Sequence, residues 1–239
     1  MAIGASLVVI GGKKRYRRVV PIDRKFFVGY RRVALKPDEV VLAVHIPLTR
    51  RHEYVMAYKQ ARRREDDIAI VNGAFRVLLE PRRGDGWYVK DCALAFGGMA
   101  ATTIRAEKLE SSLMGTRLDL KTFGEGASMY DRLVNELKLP DPVPGGQREF
   151  RMTLCASMLY KFFVHTVESL RQESSENLAS VPVLETRERS ARFALLHEHV
   201  TSGTQCYGTL LHDLSLLLSI YIRRNTYHRL NAQQVRTQL

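Results

Sequence analysis

The chain has little cysteine. Cys92, Cys155 and Cys206 are the 3 in 239 residues, far apart and with no Cys-x-x-Cys spacing. Neither a four-thiolate zinc site nor an iron-sulfur cluster can be assembled from them, and so few thiols point to a reducing compartment rather than a disulfide framework. Long apolar runs are missing as well. The strongest near the C-terminus, residues 210–222, falls short of the roughly 20 residues needed to span a bilayer and contains His212 and Asp213, so no membrane span is expected. No basic segment precedes the apolar part of the first ten residues, which are expected to be structure rather than a targeting signal. Acidic side chains are also short, 25 against 37 Lys and Arg, for a formal charge of +12. That excess favours anionic partners without choosing among them. The nine basic residues of 13–32 accompany Phe26, Phe27 and Tyr30 in no base-stacking motif, so nucleic acid is not the expected partner.

The residues that are present suit one well-buried domain with an extension. Residues 7–10 and 16–20 read as a hairpin around Gly11-Gly12-Lys13-Lys14, and because two strands alone are marginal in water, the hairpin is expected to belong to a larger sheet. Pro37 and Pro47 bracket a strand over 40–46. Residues 53–58 supply another. Residues 68–79 are ambiguous between helix and strand, whereas Phe75, Val77 and Leu79 alternate as a strand does, and 87–96 is its expected antiparallel partner. Thr102 or Thr103 can cap a helix running to Met114. Phe123, Ala127, Tyr130, Val134 and Leu137 mark a second helix. A third is expected over 148–170, with Phe150, Leu154, Met158, Phe162 and Phe163 on its apolar face and Cys155 as a small buried residue. Residues 172–189 look like a polar linker, residues 210–227 like a further helix, and 231–239 like a disordered end.

Residues 58–72 stand apart: an alternating strand breaks into three arginines and three carboxylates and then resumes as an apolar run. Ionised groups near a core must be paired or wet, and a surface loop with local ion pairs is the plain explanation. The stretch also resembles the lysine-containing strand and charged loop of xanthine dehydrogenases. The words Phe26-Phe27-Val28-Gly29-Tyr30-Arg31, Leu35-Lys36-Pro37-Asp38-Glu39, Ile46-Pro47, Phe96-Gly97-Gly98-Met99-Ala100 and Tyr160-Lys161-Phe162-Phe163 are similar to that family in the same order. The resemblance covers roughly residues 1 to 170. It points to the C-terminal half of the FAD-binding domain of a molybdenum hydroxylase, as in carbon monoxide dehydrogenase flavoproteins.

The resemblance implies an α+β fold, a small antiparallel sheet packed against about three helices. The implied parts are a remnant of the FAD-binding subdomain with its connecting strand over 1–48, a C-terminal flavoprotein subdomain over 49–170, and a linker with an unassigned tail over 171–239. Val41 and Lys59 match family residues that contact FAD, and Asp66 matches an aspartate near the flavin whose loop affects access of NAD. The complete family enzyme oxidises hypoxanthine and xanthine at molybdopterin and passes electrons through 2Fe-2S clusters and FAD to NAD or oxygen. No molybdopterin domain, cysteine-rich iron-sulfur region or glycine-rich pyrophosphate loop is recognisable here. The chain is therefore expected to be a fragment or descendant of such an enzyme, with an incomplete FAD site and no turnover alone. Its expected partners are the missing flavin, iron-sulfur and molybdopterin domains or a homodimer partner, in the cytoplasm or peroxisome. An aldehyde oxidase-like subdomain and a non-catalytic interaction module retaining the fold are the alternatives.

Overall fold

The computed structural model describes residues 1–12, 16–63, 67–82, 85–119 and 129–173. They form an α+β unit of two main sheets and three helices. The hairpin is there: β1 (Ser6–Gly11) pairs antiparallel with β2 (Tyr16–Pro21), Val9 opposite Arg18. After a small two-stranded turn of β3 (Phe27–Gly29) and β4 (Arg32–Val33), β5 (Glu39–His45) joins the free side of β1, giving the order β2-β1-β5. Leu7, Val9, Val20 and Phe26 fill one face of this sheet. Glu39 pins its corner. The carboxylate accepts from Tyr16 Oη at 2.8 Å, from Arg18 Nε and Nη2 at 2.7 Å, and from the Lys36 N–H at 2.8 Å. Those donors, the Arg18 guanidinium first, hold its pKa down to about 2.

The second sheet runs β6 (Glu53–Ala61), β7 (Ala69–Arg82), β8 (Gly86–Gly97) and β9 (Ile104–Arg105), all antiparallel. The ambiguous segment after the charged loop is thus strand from Ala69 onward, and β6 carries Lys59 within it. Along β6 and β7, Tyr54, Met56, Tyr58, Phe75 and Val77 point to the helical side, where Phe75 meets Phe96 at 5.0 Å and Phe162 at 5.6 Å between ring centroids. Burying such aromatic side chains in edge-to-face or tilted contact is the main source of stability of this layer. The helices are α1 (Glu107–Leu113), α2 (Met129–Glu136) and α3 (Arg148–Glu173).

The helices depart from the sequence expectations in three places, one of them on α2, where Tyr130 of the expected apolar stripe is 44% exposed and Met129 and Leu133 are buried instead. Thr102 and Thr103 do not cap α1, because Ile104 and Arg105 are used as a strand opposite Phe96 and Ala95. The helix starts only after Ala106, and the carboxylate of Glu136 on α2 takes the Lys108 and Leu109 N–H groups at 2.7 and 2.8 Å. On α3, Met158, Phe162 and Phe163 are buried as expected, together with Met152, Leu159, Val167 and Leu170, but Phe150 lies in the first turn and is 46% exposed. Cys155 is fully buried. The expected start of the second helix at Phe123 and Ala127, and everything read into 174–239, lie outside the described residues. Among the described residues no helix is long and apolar enough to cross a membrane.

Candidate functional site

Strand registers bring three distant residues into one row. Lys59 on β6 lies opposite Asn72 on β7, and Asn72 lies opposite Gly97 on β8. Because side chains alternate along strands, the next positions on the same face are Ala57, Ala74 and Ala95, also aligned. This face looks away from the helices, which pack against the Tyr58, Phe75 and Phe96 side. Its far part is covered by the start of the chain: Met1 and Ala2 pack on Ala74, Ala93 and Ala95, and Arg76 Nε donates to the Ala2 carbonyl at 3.0 Å. The row of Lys59, Asn72 and Gly97 lies at the other end of the face, with Asn72 exposed.

Two glycines shape this end. A Cβ on Gly97 would stand 2.3 Å from Asn72 Oδ1, so the amide lies across the glycine. Gly98 has φ +82°, and a Cβ there would come within 2.3 Å of the Ile70 carbonyl; only glycine suits that backbone and that approach. Arg151 of α3 fixes the turn by donating to the Gly98 carbonyl at 3.0 Å.

The charged loop leaves from the same end of β6. Asp67 accepts from the N–H groups of Arg63 at 2.7 Å and Ile68 at 2.9 Å. Those backbone hydrogen bonds, the one from Arg63 foremost, hold its carboxyl below the usual range. Asp66 lies outside the described residues. On the opposite face, burial pushes the Tyr58 phenol up, and its hydroxyl has no hydrogen-bond partner among the described residues.

Val41 stands on the other sheet, opposite Val9 on the face that carries the small core, yet it is 42% exposed. The cause is the end of the sheet at β5, whose outer edge pairs with no strand among the described residues. Val40, Leu42 and Val44 are more than half exposed too. Lys59 and Val41 were candidates through the family resemblance; Asn72 and Gly97 were not assigned roles, since only the three-strand register joins them to Lys59.

The Lys59 row fits a flat ring that gains negative charge. The face is low, built of alanines and a glycine, and it offers one cation and one amide. The residues do not fit an iron-sulfur cluster: Cys92 and Cys155 are buried, which pushes both thiols up to about 12. No group of three or more His, Cys, Asp or Glu able to hold a metal ion occurs among the described residues.

Comparison with known proteins agrees with this architecture. Residues 56–166 match the family model described as the CO dehydrogenase flavoprotein C-terminal domain. A xanthine dehydrogenase from Oryza sativa subsp. japonica is 41% identical over 170 residues, 71% of this chain and 12% of the relative. A xanthine dehydrogenase/oxidase from Gallus gallus is 39% identical over 73% of this chain and 12% of its own length. The chain thus spans about an eighth of these curated relatives. Among solved structures, carbon monoxide dehydrogenase from Hydrogenophaga pseudoflava shares the fold with a TM-score of 0.54 at 22% identity, over 67% of this chain and 52% of that one. Quinoline 2-oxidoreductase from Pseudomonas putida 86 also gives 0.54, at 20% identity over 70% and 53%.

Proposed function

Because the chain belongs to the family of the CO dehydrogenase flavoprotein C-terminal domain, the family it shares with xanthine dehydrogenases, we propose that it is the flavin-facing subdomain of a xanthine dehydrogenase-like oxidoreductase. FAD, when bound, supplies the electron-transfer chemistry. The chain's own residues position and tune it. Lys59 places a positive charge by the ring and so favours negative charge on it, Val41 offers an apolar contact, and Asp66, through its match to the family aspartate near the flavin, adds a negative charge that makes electron addition harder. In this proposal, hypoxanthine or xanthine is oxidised at a molybdopterin site elsewhere, and electrons arrive through iron-sulfur clusters and leave to NAD or oxygen. The setting is a reducing compartment such as the cytoplasm.

The observation that carries the proposal is the Lys59 row, a low cationic shelf at the sheet end next to the charged loop. The outer edge of β5, which pairs with no strand among the described residues, supports a second element of it: a further polypeptide segment, the other flavin half, docks there. Unprotected apolar edge strands recruit further strands, and Val40 is 65% exposed, Leu42 52% and Val44 54%. An association role for this edge holds whether or not the assembled protein is catalytic.

The test is co-expression of the chain with the remaining flavin-domain half of a family member, followed by purification and measurement of bound FAD. Co-purification with stoichiometric FAD supports the proposal. Uric acid formation from xanthine by the purified chain alone would contradict its role as a subdomain.

A further inference from the structure

We infer that Asn72 is a ring-binding residue whose side-chain amide hydrogen-bonds the imide edge of a flavin, beside Lys59. The inference rests on the flavin reading above and extends it to a residue that the sequence did not single out.

Cross-strand partners on one face have Cβ atoms about 4.5–5.5 Å apart, and Lys59 and Asn72 are such partners. A ring held at Lys59 therefore lies within reach of Asn72. The amide lies over Gly97. A Cβ on Gly97 would meet Asn72 Oδ1 at 2.3 Å and Cγ and Nδ2 at 2.9 Å, so the amide occupies the space that a side chain at 97 would take.

The amide makes no hydrogen bond to another described residue. An asparagine side chain carries two donors and an acceptor, and the Asn72 side chain has no hydrogen-bond partner among the described residues. The other strongly polar residue of this face, Arg76, is engaged with the Ala2 carbonyl at 3.0 Å, Glu53 at 2.9 Å and Asp91 at 2.8 Å. The pyrimidine edge of a flavin presents C=O, N–H and C=O in succession. An amide places a donor beside an acceptor and matches such an edge with two bonds. Ala57 and Ala74 keep the approach low for a flat ring.

The test is a titration with FMN of the isotopically labelled chain, assembled with its complementary flavin half and stripped of FAD, following the Asn72 side-chain NH₂ and the Lys59 backbone amide by NMR, with N3-methylated FMN as a ring whose imide N–H is blocked. Both signals are expected to shift on one saturation curve with FMN, and the Asn72 NH₂ to shift less with the N3-methylated ring. Asn72→Ala is expected to raise the FMN dissociation constant about five- to tenfold, the loss of one or two ordinary hydrogen bonds. Gly97→Ala, which displaces the amide without removing it, should act in the same direction, with circular dichroism confirming the fold. A Lys59 shift without an Asn72 side-chain shift, or an Asn72→Ala constant within twofold of the parent, overturns the inference and leaves the flavin reading standing. No shift at either residue at millimolar FMN overturns both.

Discussion

Glu136, in the last turn of α2, caps α1 by holding the N–H of Leu109 at 2.8 Å and that of Lys108 at 2.7 Å. The first N–H groups of a helix have no partner inside it, and Ala106 offers no side-chain oxygen. Glu136→Ala leaves both donors to water and removes a negative charge from a helix N-terminus. The expected cost is about 1–2 kcal/mol, read as a lower urea midpoint with an unchanged slope.

Gly98 and Gly115 both have positive φ, +82° and +72°, but differ in surroundings. Nothing lies within 4 Å of a Cβ on Gly115, whereas one on Gly98 would meet the Ile70 carbonyl. Gly115→Ala should therefore cost only the left-handed backbone penalty, about 1–2 kcal/mol. Gly98→Ala must also move a strand, and should cost clearly more in the same denaturation experiment.

Acid should weaken the β2-β1-β5 sheet. Glu39 is held down to about 2 in the folded chain, from an ordinary value of 4.5. A depressed carboxylate adds stability that is present above its unfolded pKa and is lost as pH falls through the folded one. Glu53, held down to about 2 chiefly by Arg50, acts in the same direction. Urea midpoints should fall from pH 4.5 towards pH 2, and Glu39→Gln should start lower at pH 7 and show a shallower fall.

Cys92 and Cys155 should resist alkylation. Thiolate is the reactive form, and burial has pushed both thiols up to about 12. Iodoacetamide at pH 8 followed by peptide mass spectrometry should leave both unmodified in the native chain and label both in urea.

The parts legible in the sequence are those governed by local pattern. The alternation of Phe75, Val77 and Leu79 marked the end of β7, and the Gly11-Gly12 turn marked the first hairpin. The first half of β7 was ambiguous, because Asn72-Gly73 interrupts a continuous apolar run that fits either periodicity. The start of α1 was hidden, since its cap comes from Glu136, 28 residues away from Lys108. Phe150 had helical spacing with the buried residues, but it precedes Met152, where burial on α3 begins. The site divides in the same way. Lys59 was a candidate through the family resemblance, since a strand lysine before a charged loop is by itself an ordinary surface residue, while its neighbours Asn72 and Gly97 emerge only when three strands are set in register.

The most direct test is an FAD titration, by flavin fluorescence, of the chain assembled with its complementary flavin half, comparing the parent with Lys59→Met. The parent should bind FAD stoichiometrically, and Lys59→Met should weaken binding about tenfold, the loss of one favourable charge interaction of about 1.4 kcal/mol. An assembled parent that binds no FAD, or a Lys59→Met chain that binds as tightly as the parent, would contradict the placement of the flavin on this face.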